Sequence, residues 1–273
     1  MDERRSYLYD THVVWGATMV PFGGWVMPLH YEAGTVTEHL ACRHDAVVFD
    51  VSHLGTVRLD GPDAFATLQG TLTNDLRKIS PGRAQYTHLL DDDGFVVDDI
   101  IVWWVGEDEF DVMPNASNTS GVREAVGGRD VTAERCVLAV QGPHAREVAG
   151  RVDPRFAAVG RFRVVRVEYG GVEVRVAGTG YTGEAGLEIA APNEIAVALI
   201  SALRDAGGPG RARHSAPRSG AAALRARADA RVDHVGGSAR VGPGVGQDDV
   251  PGTGRGAGRA RAWSPTTPRR RPG

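Results

Sequence analysis

Two adjacent aspartates, Asp98 and Asp99, are the side chains of this sequence best suited to chemistry. They lie between Val96-Val97 and Ile100-Ile101-Val102, and the whole run is typical of a buried strand. Because side chains alternate along a strand, the two carboxylates point to opposite faces and one of them faces inward. Buried carboxylates are rare unless they are paired or functional. The pattern therefore allows either a structural pair or general acid–base chemistry.

A second acidic cluster, Asp91-Asp92-Asp93-Gly94, precedes this pair and invites comparison with a calcium loop. It lacks the alternating ligands and the closing glutamate of an EF-hand, and aspartate followed by glycine is typical of a turn between strands. The nine histidines are scattered singly, and Cys42 and Cys136 stand outside any metal-ligand spacing. The sequence predicts a turn at 91–94, reduced thiols and no metal site.

Two further motifs suggest chemistry that their context does not support. Residues 178–183 spell GxGxxG, but a dinucleotide-binding turn opens a helix, and the alternating residues 187–190 predict a strand. We therefore predict a glycine-rich hairpin loop. Asp50, Ser52 and His53 are residue types found in hydrolase triads. Triad members are assembled in space by the fold, so adjacency in the chain does not indicate a hydrolase.

The elements that must position these residues are a mixture of helices and strands without a repeated strand–helix–strand pattern, which predicts α+β architecture. Helical spacing is found at 37–43 and, after the turn at Gly61-Pro62-Asp63, at 64–76. Apolar or alternating runs predict strands at 56–59, 86–90, 96–105, 136–140 and 172–176.

The composition is that of a globular protein, since 42% of the 273 residues are hydrophobic and the net charge is −3. Mixed charge of this kind gives no reason to expect nucleic acid as a partner. No stretch approaches the ~20 apolar residues of a membrane helix, and the charged amino terminus is not typical of a secretory signal. We expect a cytoplasmic protein that binds neither membranes nor nucleic acid.

The composition changes at Gly207. From there to Gly273, Gly, Arg, Ala, Pro and Ser dominate, and Glu, Lys, Ile, Phe, Tyr, Met and Cys are absent. Such a segment buries too little apolar surface to offset its ordering entropy. We predict a folded region at 1–206, with 55–136 as a distinct subdomain, and a disordered tail at 207–273. The alternative for the tail is a basic arm for nucleic acid.

An ordered series of short motifs between residue 6 and about residue 206 resembles the aminomethyltransferase family, the tetrahydrofolate-dependent T proteins of the glycine cleavage system. Each motif alone is weak, but their common order makes the resemblance specific. The motifs are Gly16-Ala17, Met19-Val20-Pro21-Phe22, Gly24-Trp25, Met27-Pro28, Glu38-His39-Leu40-Ala41, Phe49-Asp50-Val51-Ser52-His53, Thr73-Asn74-Asp75, Gly94 with Asp98-Asp99, Asn115-Ala116, Gln141-Gly142-Pro143, and Thr179-Gly180-Tyr181-Thr182-Gly183-Glu184 with Gly186 and Glu188.

The resemblance implies a fold of three domains around a central folate site, of which only the first two are matched. It implies that the one-carbon unit of an aminomethyl group, carried on the lipoyl arm of the H protein, passes to tetrahydrofolate with release of ammonia. Attack by the folate nitrogen and loss of ammonia both move protons, so an acid or base is needed nearby. Asp99 matches the key carboxylate of the family and is our candidate catalytic residue.

The resemblance also implies folate contacts. Tyr86 and Tyr181 match aromatic pocket residues suited to a flat ring. Glu188 matches a carboxylate that accepts hydrogen bonds from the pterin amino edge. Two positions depart from the family, because Leu54 stands where Met is common and Trp103 where Tyr is common. The candidate cofactor-binding residues are Leu54, Tyr86, Asp99, Trp103, Asn115, Tyr181 and Glu188.

After residue 183 the family continues with a stretch whose arginine holds the folate carboxylates, and then with a third domain. Neither is found in this sequence. Residues 207–223 are encodable by GC-rich codons that, shifted by one reading position, give a string typical of the family. We therefore hypothesise that the tail is translated out of frame and that the chain is inactive as written. The alternative is a natural arginine-rich tail.

Other functions remain open besides aminomethyl transfer in glycine catabolism. The folate domain of sarcosine- or dimethylglycine-oxidising enzymes shares the fold, although a flavin domain usually precedes it. A non-catalytic folate-binding accessory protein of iron–sulfur maintenance is a further alternative, but that branch carries a cysteine signature where this chain has residues 181–184. The fourth possibility is that the chain is an inert truncated product.

Overall fold

The computed structural model describes residues 3–207 and 212–215. Within them the chain forms three sheets. The strands are β1 Arg4–Arg5, β2 Thr18–Phe22, β3 Trp25–His30, β4 Ala46–Asp50, β5 Val57–Asp60, β6 Arg83–Leu90, β7 Val96–Gly106, β8 Glu109–Met113, β9 Arg129–Asp130, β10 Arg135–Gln141, β11 Val164–Tyr169, β12 Val172–Ala177, β13 Gly186–Pro192 and β14 Ala212–Ser215.

The helices confirm the α+β class. The predicted helix at 37–43 lies inside α2, but the helix predicted at 64–76 ends at Thr71, because Leu72 turns to extended backbone and Asp75 caps a separate 3-10 turn. The helices are α1 Tyr9–Val14, α2 Gly34–His44, α3 Ala64–Thr71, α4 Thr119–Val126, α5 Ala145–Val152, α6 Pro154–Ala157 and α7 Asn193–Ala206, with 3-10 turns at Leu76–Lys78, Ala116–Asn118 and Thr132–Glu134.

The largest sheet has six strands in the order β11-β12-β13-β10-β4-β14. Its central strand β10 is buried along its whole length. Leu138 and Val140 of this strand pack in one core with Leu199 and Leu203 of α7, whereas the alternate residues of the strand point to the opposite face. Each fully buried leucine contributes about 1.5–3 kcal/mol to stability relative to an exposed one. This core therefore holds α7 against the sheet.

A second sheet of five strands has the order β6-β7-β8-β5-β9. Ile100 and Val102 of β7 pack with Leu68 of α3 and Val122 of α4 in a separate core. All five strands of this sheet lie within residues 57–130. This places them inside the range 55–136 for which the sequence predicts a subdomain.

The two large sheets face each other through a third apolar cluster, here called the inter-sheet cluster. Phe49 and Val137 enter it from the six-stranded sheet, and Ile101, Trp103 and Met113 enter it from the five-stranded sheet. Residues of β7 therefore alternate between two cores, with even numbers facing the helices and odd numbers facing the other sheet. The strand positions its functional side chains by this alternation.

Both predicted turns are confirmed. Asp91 accepts backbone hydrogen bonds on its side chain from Asp93 and Phe95, which closes the turn between β6 and β7. Residues 178–185 connect β12 to β13, which pair in antiparallel fashion. The GxGxxG motif is thus part of a hairpin loop, as the sequence predicts, and it opens no helix.

Strand β14 pairs in parallel with β4 and falls in the stretch that the sequence predicts to be disordered. In these four residues the structure differs from the prediction, because main-chain pairing does not depend on apolar side chains. The predictions for 208–211 and 216–273, including the change of reading frame, lie outside the described residues. Among the helices that are described, none is long and apolar enough to span a membrane.

Candidate functional site

The aspartate pair lies on β7, and its two carboxylates have different surroundings. Asp98 is 3% exposed and lies on the face of the strand that carries Ile100. Asp99 is half-buried and lies on the face that carries Ile101 and Trp103, toward the six-stranded sheet. The alternation predicted from the sequence is confirmed, and the inward-facing residue of the pair is Asp98.

Asn115, just after β8, joins the two aspartates. Its side-chain amide donates to Oδ1 of Asp98 at 2.6 Å and to Oδ1 of Asp99 at 2.8 Å. Its backbone amide donates to Oδ2 of Asp98 at 3.0 Å, and Asn118 adds another bond to Asp98 at 3.0 Å. Burial raises the pKa of Asp98, while these hydrogen bonds act in the opposite direction without overcoming it.

Tyr86 of β6 ties the five-stranded sheet to the glycine-rich loop. Its hydroxyl donates a 3.0 Å hydrogen bond to the carbonyl oxygen of Gly180, and its ring meets Phe162 edge to face with centroids 5.8 Å apart. In the same loop Tyr181 packs edge to face on Phe49 with centroids 5.4 Å apart. The two tyrosines predicted as pocket residues thus both pack against the inter-sheet cluster.

The hydroxyl of Tyr181 is a buried polar atom for which the described residues supply no hydrogen-bond partner. Burial raises its pKa, and the nearby carboxylate of Glu188 acts in the same direction. Tyr181 therefore stays protonated and presents an unused hydroxyl group inside the inter-sheet cluster. A buried hydroxyl without a partner is costly unless a ligand supplies one.

Glu188 lies on β13 and is 4% exposed. The hydroxyl of Thr179 donates to its Oε2 atom. The position alternates with Leu187 and Ile189, which pack in the helix-covered core, so the Glu188 carboxylate faces the five-stranded sheet. A buried carboxylate on this face can accept hydrogen bonds from a ligand held between the sheets.

The remaining predicted residues also reach the inter-sheet cluster. Leu54 packs against it half-buried, and its carbonyl oxygen accepts a hydrogen bond from Arg135. Trp103 is completely buried within it, and its Nε1 atom has no hydrogen-bond partner among the described residues. The structure brings Leu54, Tyr86, Trp103 and Tyr181 into this one cluster, with Asp99 and Glu188 on the facing sides of the two sheets.

Gln141, to which the sequence motifs assigned no role, organises the glycine-rich loop. It lies at the end of β10 and is completely buried. Its amide nitrogen donates to the carbonyl oxygen of Thr179 at 3.2 Å, and its Oε1 atom accepts from the Thr182 hydroxyl at 3.0 Å. A side chain at Gly180 would overlap this amide. The available signal was a glutamine directly after the apolar run at 136–140.

Asp50, which the sequence places beside Ser52 and His53, is part of a different network. Its Oδ2 atom lies 2.9 Å from Nε2 of His12 and accepts a 2.8 Å hydrogen bond from the Ser6 hydroxyl. Burial acts to raise the pKa of Asp50, but the hydrogen bond and charge of His12 outweigh it and lower the pKa to about 2. The network joins the amino-terminal segment to β4, and it contains no serine–histidine contact of the hydrolase type.

His53 is buried against Phe22, with ring centroids 5.3 Å apart, and its Nδ1 atom has no partner in the described part of the chain. Burial lowers the pKa of His53 to about 4, so the ring is neutral at pH 7. Among the described residues no group of three or more histidine, cysteine, aspartate or glutamate side chains is arranged to hold a metal ion.

Comparison with known proteins supports this interpretation of the fold. The crystal structure of glycine cleavage system aminomethyltransferase T from Bartonella henselae matches with a TM-score of 0.68 and 29% sequence identity, covering 78% of this chain and 60% of that chain. The aminomethyltransferase of Chlorobaculum tepidum is 43% identical over 216 residues, which is 75% of this chain and 59% of the relative. That of Mycobacterium tuberculosis is 43% identical over 213 residues, which is 74% of this chain and 58% of the relative.

Two facing sheets, a bridged aspartate pair and a glycine-rich hairpin thus occur in a chain that matches the amino-terminal portion of glycine cleavage T proteins. The family model for the GCVT N-terminal domain matches residues 8–236, and the chain belongs to this family. The match continues past residue 206, where the motif series ends. The chain spans about 59% of the length of the curated relatives it matches.

Proposed function

We propose that this chain carries the folate-binding and proton-handling residues of an aminomethyltransferase of the glycine cleavage system. In this proposal the one-carbon unit passes from an aminomethyl-lipoyl group on the H protein to tetrahydrofolate, and ammonia is released. The observation that carries the proposal is the half-buried carboxylate of Asp99, which Asn115 holds at 2.8 Å on the face of β7 that is turned toward Glu188 and its sheet.

Asp99 is suited to proton transfer by its surroundings. Its strand neighbour Asp98 is satisfied by Asn115 and Asn118, and Asn115 orients Asp99 through its amide. A fixed carboxylate within reach of the reacting nitrogen accepts a proton as the amine of tetrahydrofolate attacks and returns it to the departing ammonia. The hydrogen bond from Asn115 fixes the direction in which the Asp99 carboxylate points.

The surroundings also fit tetrahydrofolate as the co-substrate. A pterin ring is flat and carries an amino edge that donates hydrogen bonds, and the buried Glu188 carboxylate is an acceptor for such an edge. The unused hydroxyl of Tyr181 offers a further hydrogen bond, and Tyr86, Trp103 and Leu54 supply apolar and aromatic surface. Together these groups would hold and orient the ring while Asp99 moves the proton.

The test separates binding from chemistry in the complete chain. Calorimetric titration with tetrahydrofolate measures binding, and incubation with aminomethyl-lipoyl H protein and tetrahydrofolate measures ammonia release. Binding together with ammonia release supports the proposal. Binding without ammonia release would favour the non-catalytic folate-binding alternative, and the absence of both would contradict the proposal for this chain and favour an inert product. The Asp99→Asn variant serves as the chemical control, because it keeps the size of the side chain and removes the base.

A further inference from the structure

Gln141 is a completely buried amide that the glycine-rich hairpin encloses. It ends β10, where it pairs with Gly186 of β13. Its side-chain nitrogen donates to the carbonyl oxygen of Thr179 at 3.2 Å and to that of Leu187 at 3.4 Å, and its Oε1 atom accepts from the Thr182 hydroxyl at 3.0 Å. A single side chain therefore contacts the start, the middle and the far side of the loop at 178–185.

The orientation of this amide is fixed by its neighbours. A backbone carbonyl oxygen only accepts hydrogen bonds, so the amide nitrogen must face Thr179 and Leu187. The Thr182 hydroxyl can donate, and it faces the amide oxygen. Gln141 thus uses both its donor and its acceptor on the loop. A hydrocarbon side chain of the same length would leave these buried loop groups without their partner.

Two glycines leave the space that the Gln141 amide occupies. A Cβ atom added at Gly180 would overlap the oxygen and nitrogen atoms of this amide, and one added at Gly186 would overlap the same nitrogen. Neither glycine adopts a positive φ, so the backbone conformation does not demand glycine at these positions. The close approach to Gln141 does, and the two glycines and the buried amide are therefore parts of one arrangement.

The same loop presents groups of the proposed folate pocket. Tyr181 lies between Thr179 and Thr182, the two loop residues that Gln141 holds by hydrogen bonds. The hydroxyl of Thr179 donates to the Oε2 atom of Glu188. A displacement of the loop from Gln141 would therefore move Tyr181 and also the hydroxyl that contacts Glu188.

A second contact supports the loop from its exposed side. Arg43 of α2 donates to the carbonyl oxygen of Thr182 at 2.8 Å and pairs with Glu184 at 2.7 Å. Its side chain is 38% exposed, and an exposed pair of this kind contributes little. Glycine loses more conformational freedom on ordering than any other residue, so a loop with glycines at 178, 180 and 183 needs a firmer support. Gln141 supplies that support from the buried side.

We propose that Gln141 is a positioning residue of the folate pocket, which holds the loop at 178–185 so that Tyr181 and Glu188 are oriented before the co-substrate binds. Because Gln141 is completely buried, it acts through the loop and does not contact the ligand. A loop that is ordered in advance spares the ligand the entropy cost of ordering it. The identity of the ligand rests on the proposed function, whereas the holding of the loop is a property of the free chain.

The first test measures hydrogen exchange in the complete chain without ligand. The backbone amide of Glu184 donates to the Thr182 hydroxyl inside the loop, whereas that of Val51 donates to Val137 within the six-stranded sheet. Gln141→Met keeps an unbranched side chain of similar length and removes its hydrogen bonds. Exchange is expected to accelerate about ten-fold or more at Glu184 relative to Val51. Equal factors at the two amides, or no change, would overturn the proposal.

Calorimetry with a matched pair of variants tests the effect on binding from the partly exposed side of the loop. Thr182→Val keeps the shape of the side chain and removes the hydroxyl that Gln141 accepts from, whereas Thr182→Ser retains it. Tetrahydrofolate is expected to bind about five-fold or more weakly to Thr182→Val and within about two-fold of the parent to Thr182→Ser. Equal affinities of the two variants would refute the role of this hydrogen bond.

Thr71→Val is the control for the loss of a hydroxyl elsewhere. Thr71 lies in α3, and its hydroxyl donates to the carbonyl oxygen of Thr67 at 2.8 Å. The substitution makes the same chemical change as Thr182→Val but leaves the loop intact, so the affinity for tetrahydrofolate is expected to be unchanged. A loss equal to that of Thr182→Val would show a general effect and would count against Gln141.

The double variant Gln141→Met with Thr182→Val shows whether the two residues act as one unit. Once Gln141 is replaced, Thr182 has no bond to it left to lose, so the second substitution is expected to change the affinity by less than about two-fold. A full additional loss would mean that Thr182 acts independently, and it would overturn the proposal. If the parent chain binds no tetrahydrofolate, the proposed function fails, and hydrogen exchange still decides whether Gln141 holds the loop.

Discussion

The side-chain amide of Asn115 donates a 2.8 Å hydrogen bond to the Oδ1 atom of Asp99. The same amide donates at 2.6 Å to Asp98, whose carboxylate is buried on the opposite face of the strand. Asp98 therefore fixes the position of Asn115, and Asn115 in turn orients Asp99. Because Asp98 has a positioning role and Asp99 is the residue that is positioned, we expect substitutions of the two aspartates to have different consequences.

The Asp98→Ala variant is expected to lose stability. It leaves the backbone amide of Asn115 without its acceptor and removes one of the two acceptors of the Asn118 side-chain amide. A buried group left unsatisfied costs about 1–3 kcal/mol. The Asp99→Asn variant is expected to change the free energy of unfolding by less than about 1 kcal/mol. Urea denaturation measures both, and equal losses would contradict the assignment of the structural role to Asp98 alone.

The Asp99→Asn variant is expected to reduce turnover about 100-fold or more, since positioned acid–base groups contribute effects of this order. Its affinity for tetrahydrofolate is expected to stay within about three-fold, because Asn keeps the volume of the side chain. Ammonia release and calorimetry measure the two effects in any preparation that turns over. Asp93→Asn, in the exposed turn before β7, is the matched control, and parallel losses of turnover and affinity would rule out Asp99 as the proton carrier.

Replacement of Glu188 by Gln is expected to weaken tetrahydrofolate binding by about 1–3 kcal/mol, as for the loss of a buried charged hydrogen bond. Glu184→Gln removes the same charge from the same hairpin, but Glu184 is paired with Arg43 in a partly exposed salt bridge. Its affinity for tetrahydrofolate is expected to be unchanged. A dissociation constant that stays the same in Glu188→Gln would exclude Glu188 from the pocket.

The stability of the fold is expected to fall between pH 6.5 and pH 4 because of His53. Burial lowers the pKa of His53 from 6.5 to about 4, so in this window the unfolded state takes up a proton that the native state excludes. The contribution of His53 to the free energy of unfolding is therefore fully present above pH 6.5. It is lost, by about 3 kcal/mol, as the pH falls through the pKa of about 4 that His53 has in the folded state. Denaturation across this range is expected to show a flatter profile for His53→Gln, whereas His44→Gln, at an exposed position, should keep the parent slope.

Gly142 follows the buried Gln141 and adopts φ = 127°, and a Cβ atom added at this position would lie only 2.2 Å from the carbonyl oxygen of Asp45. The Gly142→Ala variant is therefore expected to be destabilised by more than about 2 kcal/mol. Gly121 in α4 has open space around it, and Gly121→Ala is expected to stabilise the chain by about 0.5–1 kcal/mol. Thermal unfolding distinguishes the two, and similar midpoints would contradict the steric argument.

The local pattern of apolar and polar residues was sufficient to predict several of the strands. The runs around β7, β10 and β12 alternate or are wholly apolar, so their strands followed from the sequence. The opposite orientation of Asp98 and Asp99 followed from the same period of two. These features depend only on neighbours in the chain, which is why they were accessible without a structure.

Long-range partners were not predictable in this way. The contact of His12 with Asp50 joins residues 38 positions apart, and the bonds from Gln141 to the 178–183 loop span a similar distance. No local periodicity encodes such pairs, because they arise only when sheets and loops are assembled. Arg135 likewise finds two of its hydrogen-bond partners, Thr56 and Ser52, 79 and 83 positions away in the chain.

Strand β14 joins the edge of the six-stranded sheet by parallel main-chain pairing with β4. Every residue except proline carries the amide and carbonyl that this pairing uses. A sheet edge of this kind accepts a segment rewritten by insertion, deletion or recoding, provided that proline is absent from the positions whose amides pair with β4. The outer side of β4 is therefore a place where evolution can exchange the sequence and retain the architecture.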